Sequence, residues 1–300
     1  MPTADVNGVS LYYQEAEEGD PVVFVPGGFA SLAGTLLDPE ELEWGDWERE
    51  FAGRFRFVTY DRRGCRRSSC PPDGYELPNQ ATDLAGLLNY LGLASAHVIG
   101  SSAGGLIALA LASAHPDHAR SLVLVGTGVD LFRSDEPGSA DAIVKRQIAL
   151  LEEQGPEVAY ARRPAQAAVW LEPLWMTGEA SERGELEWFE AREKRLAERA
   201  AKVPSAERIA RYVAELRAIQ AYVDCDGRDF ARQIKAPTLV VHGEHDTAVP
   251  LAWGADLAES IPGGTFHVVR DGSHGLLWRS REARQIVQRF IADVSASTSR

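Results

Sequence analysis

The stretch that most constrains this chain runs from Ala96 through Gly100-Ser101-Ser102-Ala103-Gly104-Gly105. A short apolar run, Ala96 to Ile99, ends at a Gly-x-Ser-x-Gly string, and Leu106 to Ala112 beyond it reads as an apolar helix that stops before Pro116. A strand that turns directly into a helix holds its central residue, here Ser102, in a strained backbone conformation. Glycines stand two residues before and two after it because strand and helix approach closely there, and a Cβ would clash. The string alone is short enough to arise by chance. The strand before it and the helix after it give it weight.

The rest of the chain arranges itself around this elbow. Asn7-Gly8 between short alternating runs predicts an opening hairpin that ends near Tyr13. Pro21 to Val25 is a continuous apolar run, as expected of a strand covered on both faces, and it breaks into Pro26-Gly27-Gly28-Phe29. Phe55 to Tyr60 is the next strand, and it leads into Asp61-Arg62-Arg63-Gly64-Cys65-Arg66-Arg67-Ser68-Ser69. Leu84, Leu87, Leu88 and Leu91 mark one face of a helix. Further strands follow at Ser121–Val125, Pro237–His242 and Thr265–Val269, and the last helix carries Ile286, Val287, Phe290 and Ile291 on one side. Strands alternating with helices predict an α/β fold with a mostly parallel, doubly wound sheet.

At about Arg133 the texture changes: Ser134 to Ser139 reads as a linker, and from Asp141 to about Tyr222 convincing strands are absent and the pattern is helical and charged, which predicts an inserted helical cap. The expected organisation is therefore 1–132 as the first part of the core, 133–226 as the cap and 227–300 as the second part of the core. The chain's 300 residues, 45% hydrophobic, are enough for one large core with such an insert. A net charge of −13 argues against nucleic acid or an anionic membrane as partner. Neither a signal peptide nor an apolar run long enough to span a bilayer is visible, and three cysteines without metal-ligand spacing suit a reducing compartment. A cytoplasmic location is the expectation, with a homodimer left open.

A serine hydroxyl needs a base, a group to orient that base, and donors for a developing oxyanion before it can act as a nucleophile. Ser102 follows the elbow strand, Asp246 follows the Pro237 strand and His274 follows the last one, all at carboxyl ends of strands. In an open parallel sheet those ends form the ligand crevice.

On the elbow, on Asp61 to Ser68 (similar to Asp-x-Arg-Gly-x-Gly-x-Ser) and on His242-Gly243-Glu244-His245-Asp246-Thr247-Ala248-Val249-Pro250, the chain resembles the α/β-hydrolase superfamily, in its capped esterase and lactonase type. The resemblance implies Ser102 as nucleophile, Asp246 as orienting acid and His274 as base. It also implies an oxyanion hole from the Ala103 amide and that of Gly28 or Phe29. No cofactor is called for, and the expected partner is a small-molecule substrate, an ester or lactone. Two departures stand out. Pro26-Gly27 replaces a usual His-Gly, and Arg66 stands where relatives often have glycine.

Other readings remain. Asp130 competes with Asp246 for the role of acid. His242-x-x-His245 shares no helix face and has no evident third ligand, so a metal is not expected. The arginines at 62, 63, 66 and 67 read first as a solvated charge run and second as an anion site. Trp170, Trp175 and Met176, in the most apolar and aromatic part of the cap, are candidates to line the pocket, with helix packing as the plainer reading. A carbon-carbon bond hydrolase, an aminopeptidase, a perhydrolase and a ligand receptor built on the same fold are the alternative functions.

Overall fold

The apolar runs become adjacent strands of one sheet. The structure, a computed structural model, describes residues 2–16, 18–27, 46–132, 140–163, 194, 198, 205–223 and 225–298. The strands are β1 (Thr3–Val6), β2 (Val9–Glu15), β3 (Pro21–Val25), β4 (Arg56–Tyr60), β5 (Ala96–Ser101), β6 (Ala119–Val125), β7 (Thr238–Gly243) and β8 (Thr265–Val269). Their order across the sheet is β1-β2-β4-β3-β5-β6-β7-β8. The β1–β2 and β2–β4 pairs are antiparallel and all others are parallel. The opening hairpin turns on Asn7 and Gly8, with φ of 46° and 75°, the left-handed pair that a type I′ turn requires.

The described helices are α1 (Asp46–Ala52), α2 (Leu77–Tyr90), α3 (Ala103–Ala114), α4 (Ala140–Gln154), α5 (Pro156–Ala161), α6 (Ser205–Val223), α7 (Arg228–Ala231), α8 (Leu251–Ser260), α9 (Leu276–Arg279) and α10 (Arg281–Thr298). They explain why the strands read as continuous rather than alternating. Val22, Phe24, Ile99, Val123, Val125, Leu239 and Val241 pack on one face against Trp47, Phe51, Leu277, Val287 and Ile291. Their sequence neighbours Val23, Val25, Val98, Leu122, Leu124 and Val240 pack on the other against α2, α3 and Leu257 of α8. The central strands are covered on both faces, so apolar residues dominate at successive positions, with a few buried polar ones such as His97 and His242 among them. Helix α3 is buried nearly all round, consistent with its lack of a polar face. The described part of 133–226 is helical, and Tyr212, Leu216, Ile219 and Tyr222 of α6 join the same apolar cluster as α3.

The arginine run departs from the sequence reading, since Arg62 and Arg63 are only 3% and 4% exposed. Arg62 donates to the Tyr222 hydroxyl at 2.7 Å. Arg63 makes a two-pronged bond to Asp83, 2.6 Å at each oxygen. Arg67 does the same to Asp61 while lying over the Tyr12 ring. Burying a charge is costly unless it is paired or hydrogen-bonded: Arg63 and Arg67 are paired with carboxylates and Arg62 is bonded to a buried hydroxyl. Arg66 alone is exposed. Its φ of 47° shows that the glycine of relatives is replaced at a left-handed position, and its carbonyl accepts a bond from Arg211 of α6 at 3.0 Å.

Candidate active site

Ser102 sits between β5 and α3 with φ 50° and ψ −125°, a conformation that costs on the order of 1–3 kcal/mol for a residue with a side chain. Close packing holds it there. A Cβ at Gly100 would lie 2.8 Å from the Gly104 carbonyl and 2.9 Å from the Ala108 methyl, and one at Gly104 would lie 2.2 Å from the Val25 carbonyl. The first contact presses helix on strand, as the sequence predicts; the second presses the helix start onto the end of β3. The Ser102 amide donates to the Val125 carbonyl at 2.9 Å, tying the elbow to the end of β6. Ala103 is the first residue of α3, so its N–H is one of those that a helix leaves without an internal acceptor.

His274 lies in the loop after β8 and Asp246 in the turn after β7. His274 Nδ1 and Asp246 Oδ2 are 2.8 Å apart, the carboxylate side chain fully buried and the imidazole 17% exposed. The other carboxylate oxygen accepts the amides of Ala248 at 3.0 Å and Val249 at 2.8 Å, so the turn itself orients the acid. Gly126, directly after the Val125 that holds Ser102, packs against this pair: a Cβ there would be 3.3 Å from both Asp246 Oδ2 and His274 Nδ1. The ends of β5, β6, β7 and β8 thus converge, as the crevice of a parallel sheet requires. Asp130, the rival acid, accepts the Phe132 amide of its own loop at 2.9 Å, whereas the carboxylate at 2.8 Å from His274 Nδ1 is that of Asp246.

Gly28 and Phe29 lie outside the described residues, as do Trp170, Trp175 and Met176. His242 and His245 do not converge: the first is wholly buried, whereas the second is 58% exposed beside Asp271. What the sequence reading missed is the His242 ring, whose Nε2 stands 3.4 Å from Asp246 Oδ2. Its signal was its place in the same His-Gly-x-x-Asp string as the acid. The described helices include none long and apolar enough to cross a membrane.

A family model described as the alpha/beta hydrolase fold matches residues 20–280. Among curated proteins, one from Azorhizobium caulinodans provisionally named carbamate hydrolase RutD is 29% identical over 274 residues, 91% of each chain. Among solved structures, the enol-lactonase from Burkholderia xenovorans LB400 is 25% identical with a TM-score of 0.65, covering 98% of this chain and 100% of its own. A thermophilic esterase from Thermogutta terrifontis shares the fold with a TM-score of 0.71 at 23% identity, covering 98% of this chain and 99% of its own.

Proposed function

Because the chain belongs to the alpha/beta hydrolase fold family, we propose that it is a serine hydrolase that cleaves a small or medium carboxylic ester or lactone through an acyl-enzyme. The observation that carries this reading is the His274–Asp246 pair, 2.8 Å apart and packed against Gly126, the residue after the carbonyl that anchors Ser102. Ser102 attacks the substrate carbonyl carbon while His274 Nε2 takes the hydroxyl proton. Asp246 keeps the remaining imidazole proton on Nδ1 and stabilises the imidazolium. The Ala103 amide, with a second donor proposed from Gly28 or Phe29, stabilises the oxyanion. His274 then protonates the leaving alkoxide, and water repeats the attack on the acyl-enzyme with His274 again as base.

On the sequence pattern we propose 133–226 as a cap, with Trp170, Trp175 and Met176, which lie outside the described residues, as candidates to contact the substrate. The partner is a small-molecule substrate in the cytoplasm. Enol-lactonase and esterase relatives support the ester and lactone classes. The name of the curated relative adds carbamates, whose carbonyl takes the same serine attack.

Fluorophosphonate labelling followed by intact-mass measurement tests the nucleophile. One adduct is expected on the wild type and none on Ser102→Ala; an adduct that persists in the variant refutes the assignment. A panel of p-nitrophenyl esters, lactones and aryl carbamates then sorts the substrate class. Each methylene buried is worth about 0.8 kcal/mol, so kcat/KM should climb a few-fold per carbon from acetate and fall once the pocket is full.

A further inference from the structure

A buried imidazole beside the proposed catalytic acid is an expensive way to fill space. His242 is the last residue but one of β7, with its ring wholly buried, and its Nδ1 has no hydrogen-bond partner among the described residues. A leucine would occupy a similar volume without burying a polar atom that has lost its water. The ring is also tightly enclosed. Gly254 of α8 passes so close that a Cβ there would come within 2.2 Å of Nδ1, and the Phe266 ring lies 6.5 Å away, centroid to centroid.

The other ring nitrogen explains the cost. Nε2 is 2.8 Å from the Val249 carbonyl, an acceptor only, so Nε2 carries the hydrogen and Nδ1 is bare. Burial pushes the pKa of this imidazole down, which favours the neutral ring. Val249 in turn donates its own amide to Asp246 Oδ1 at 2.8 Å. The ring therefore holds the residue that holds the acid, and the same N–H faces Asp246 Oδ2 at 3.4 Å.

We propose that His242 is a positioning residue for Asp246, its Nε2–H fixing the Val249 carbonyl so that the carboxylate presents Oδ2 to His274. The proposal rests on the serine-hydrolase reading above for its effect on turnover, while its geometry stands apart from that reading. Small displacements matter because catalysis by a Ser-His-Asp set depends on alignment, and a shift on the order of 1 Å can cost about a hundredfold.

The test compares His242→Leu, which removes the donor, with His242→Gln, whose side-chain N–H reaches the place of Nε2. With p-nitrophenyl butyrate, Leu should lower kcat about ten- to a hundredfold at unchanged KM, and Gln should restore most of it. Nitrogen-15 imidazole NMR supplies a readout independent of turnover. In the wild type His242 should report a neutral Nε2–H ring at about pH 8, and the His274 Nδ1 proton should be visible in the wild type and Gln but exchange-broadened in Leu. Wild-type kcat in Leu, a Gln variant as slow as Leu with its fold intact by circular dichroism, or a His242 Nδ1–H tautomer would each overturn the proposal. If Leu fails to fold, the Gln variant and the wild-type tautomer decide it. A wild type that neither turns over nor labels at Ser102 would sink the serine-hydrolase reading instead, with the NMR tautomer still judging His242.

Discussion

Replacing Asp246 with asparagine should disable the enzyme without unfolding it, and the structure dictates why. The two carboxylate oxygens have different neighbours. Oδ1 accepts two rigid backbone amides, Ala248 at 3.0 Å and Val249 at 2.8 Å, whereas Oδ2 faces His274 Nδ1 at 2.8 Å. An asparagine has one oxygen and one NH2 for these two places. Turning the NH2 toward the backbone amides would leave the buried Val249 donor unpaired, at about 1–3 kcal/mol, and the part-buried Ala248 donor with it. The oxygen therefore stays on the backbone side and the NH2 faces His274. Nδ1 must then accept, which moves the imidazole proton to Nε2, the nitrogen that takes the proton from Ser102 in the proposed mechanism. The expected loss is on the order of 10³ to 10⁴ in kcat, equivalent to about 4–5.5 kcal/mol of barrier. Asp130→Asn should cost far less, since Asp130 bonds its own loop at Phe132. The assay is p-nitrophenyl ester hydrolysis, with circular dichroism as fold control and imidazole NMR to read the tautomer of His274. An Asp246→Asn variant within tenfold of wild type, or one whose His274 keeps Nδ1–H, refutes the reasoning.

Two further outcomes concern stability. Asp83→Ala strands the Arg63 guanidinium, whose side chain is 3% exposed, and should cost about 3–5 kcal/mol in urea unfolding; a loss under about 1 kcal/mol would mean that water reaches the guanidinium. His97 is buried between the hydroxyls of Ser121 and Ser295, and burial pushes its pKa down to about 4. The unfolded chain takes up a proton near pH 6.5 that the folded chain resists, so this contribution is complete above about pH 7 and is lost as pH falls toward 4. His97→Gln should flatten the fall in stability across that window, and an unchanged slope by urea unfolding at stepped pH would refute it.

How much of this was legible in advance follows from how far each signal reaches along the chain. The hairpin needed only Asn7-Gly8, because a type I′ turn demands left-handed residues whatever surrounds it. The buried strands showed themselves because a sheet covered on both faces needs apolar residues at successive positions. The elbow was readable because the strand-to-helix turn at Ser102 makes Gly100 meet Gly104 and Ala108 within a few residues of chain, although Gly104 itself meets Val25 of β3. Ser102, Asp246 and His274 could be nominated from their places after strands, since the carboxyl ends of a parallel sheet converge by topology.

Tertiary structure decided what depends on partners distant in sequence. Four arginines in six residues look like a solvated face, and nothing local tells Arg62 from Arg66. Arg63 is buried because α2 brings Asp83 against it, and Arg62 because α6 brings Tyr222 from 160 residues away. Sequence also left Asp246 and Asp130 as rivals for one role, and only the placing of the loops after β7 and β8 side by side brings the Asp246 carboxylate against His274. His242 belonged to the string that named the acid, yet its own part depends on Val249 and on Gly254 lying over the ring. A backbone turn or a dry strand is specified by the residues that form it. A buried charge or imidazole takes its meaning from the group that folding sets opposite it.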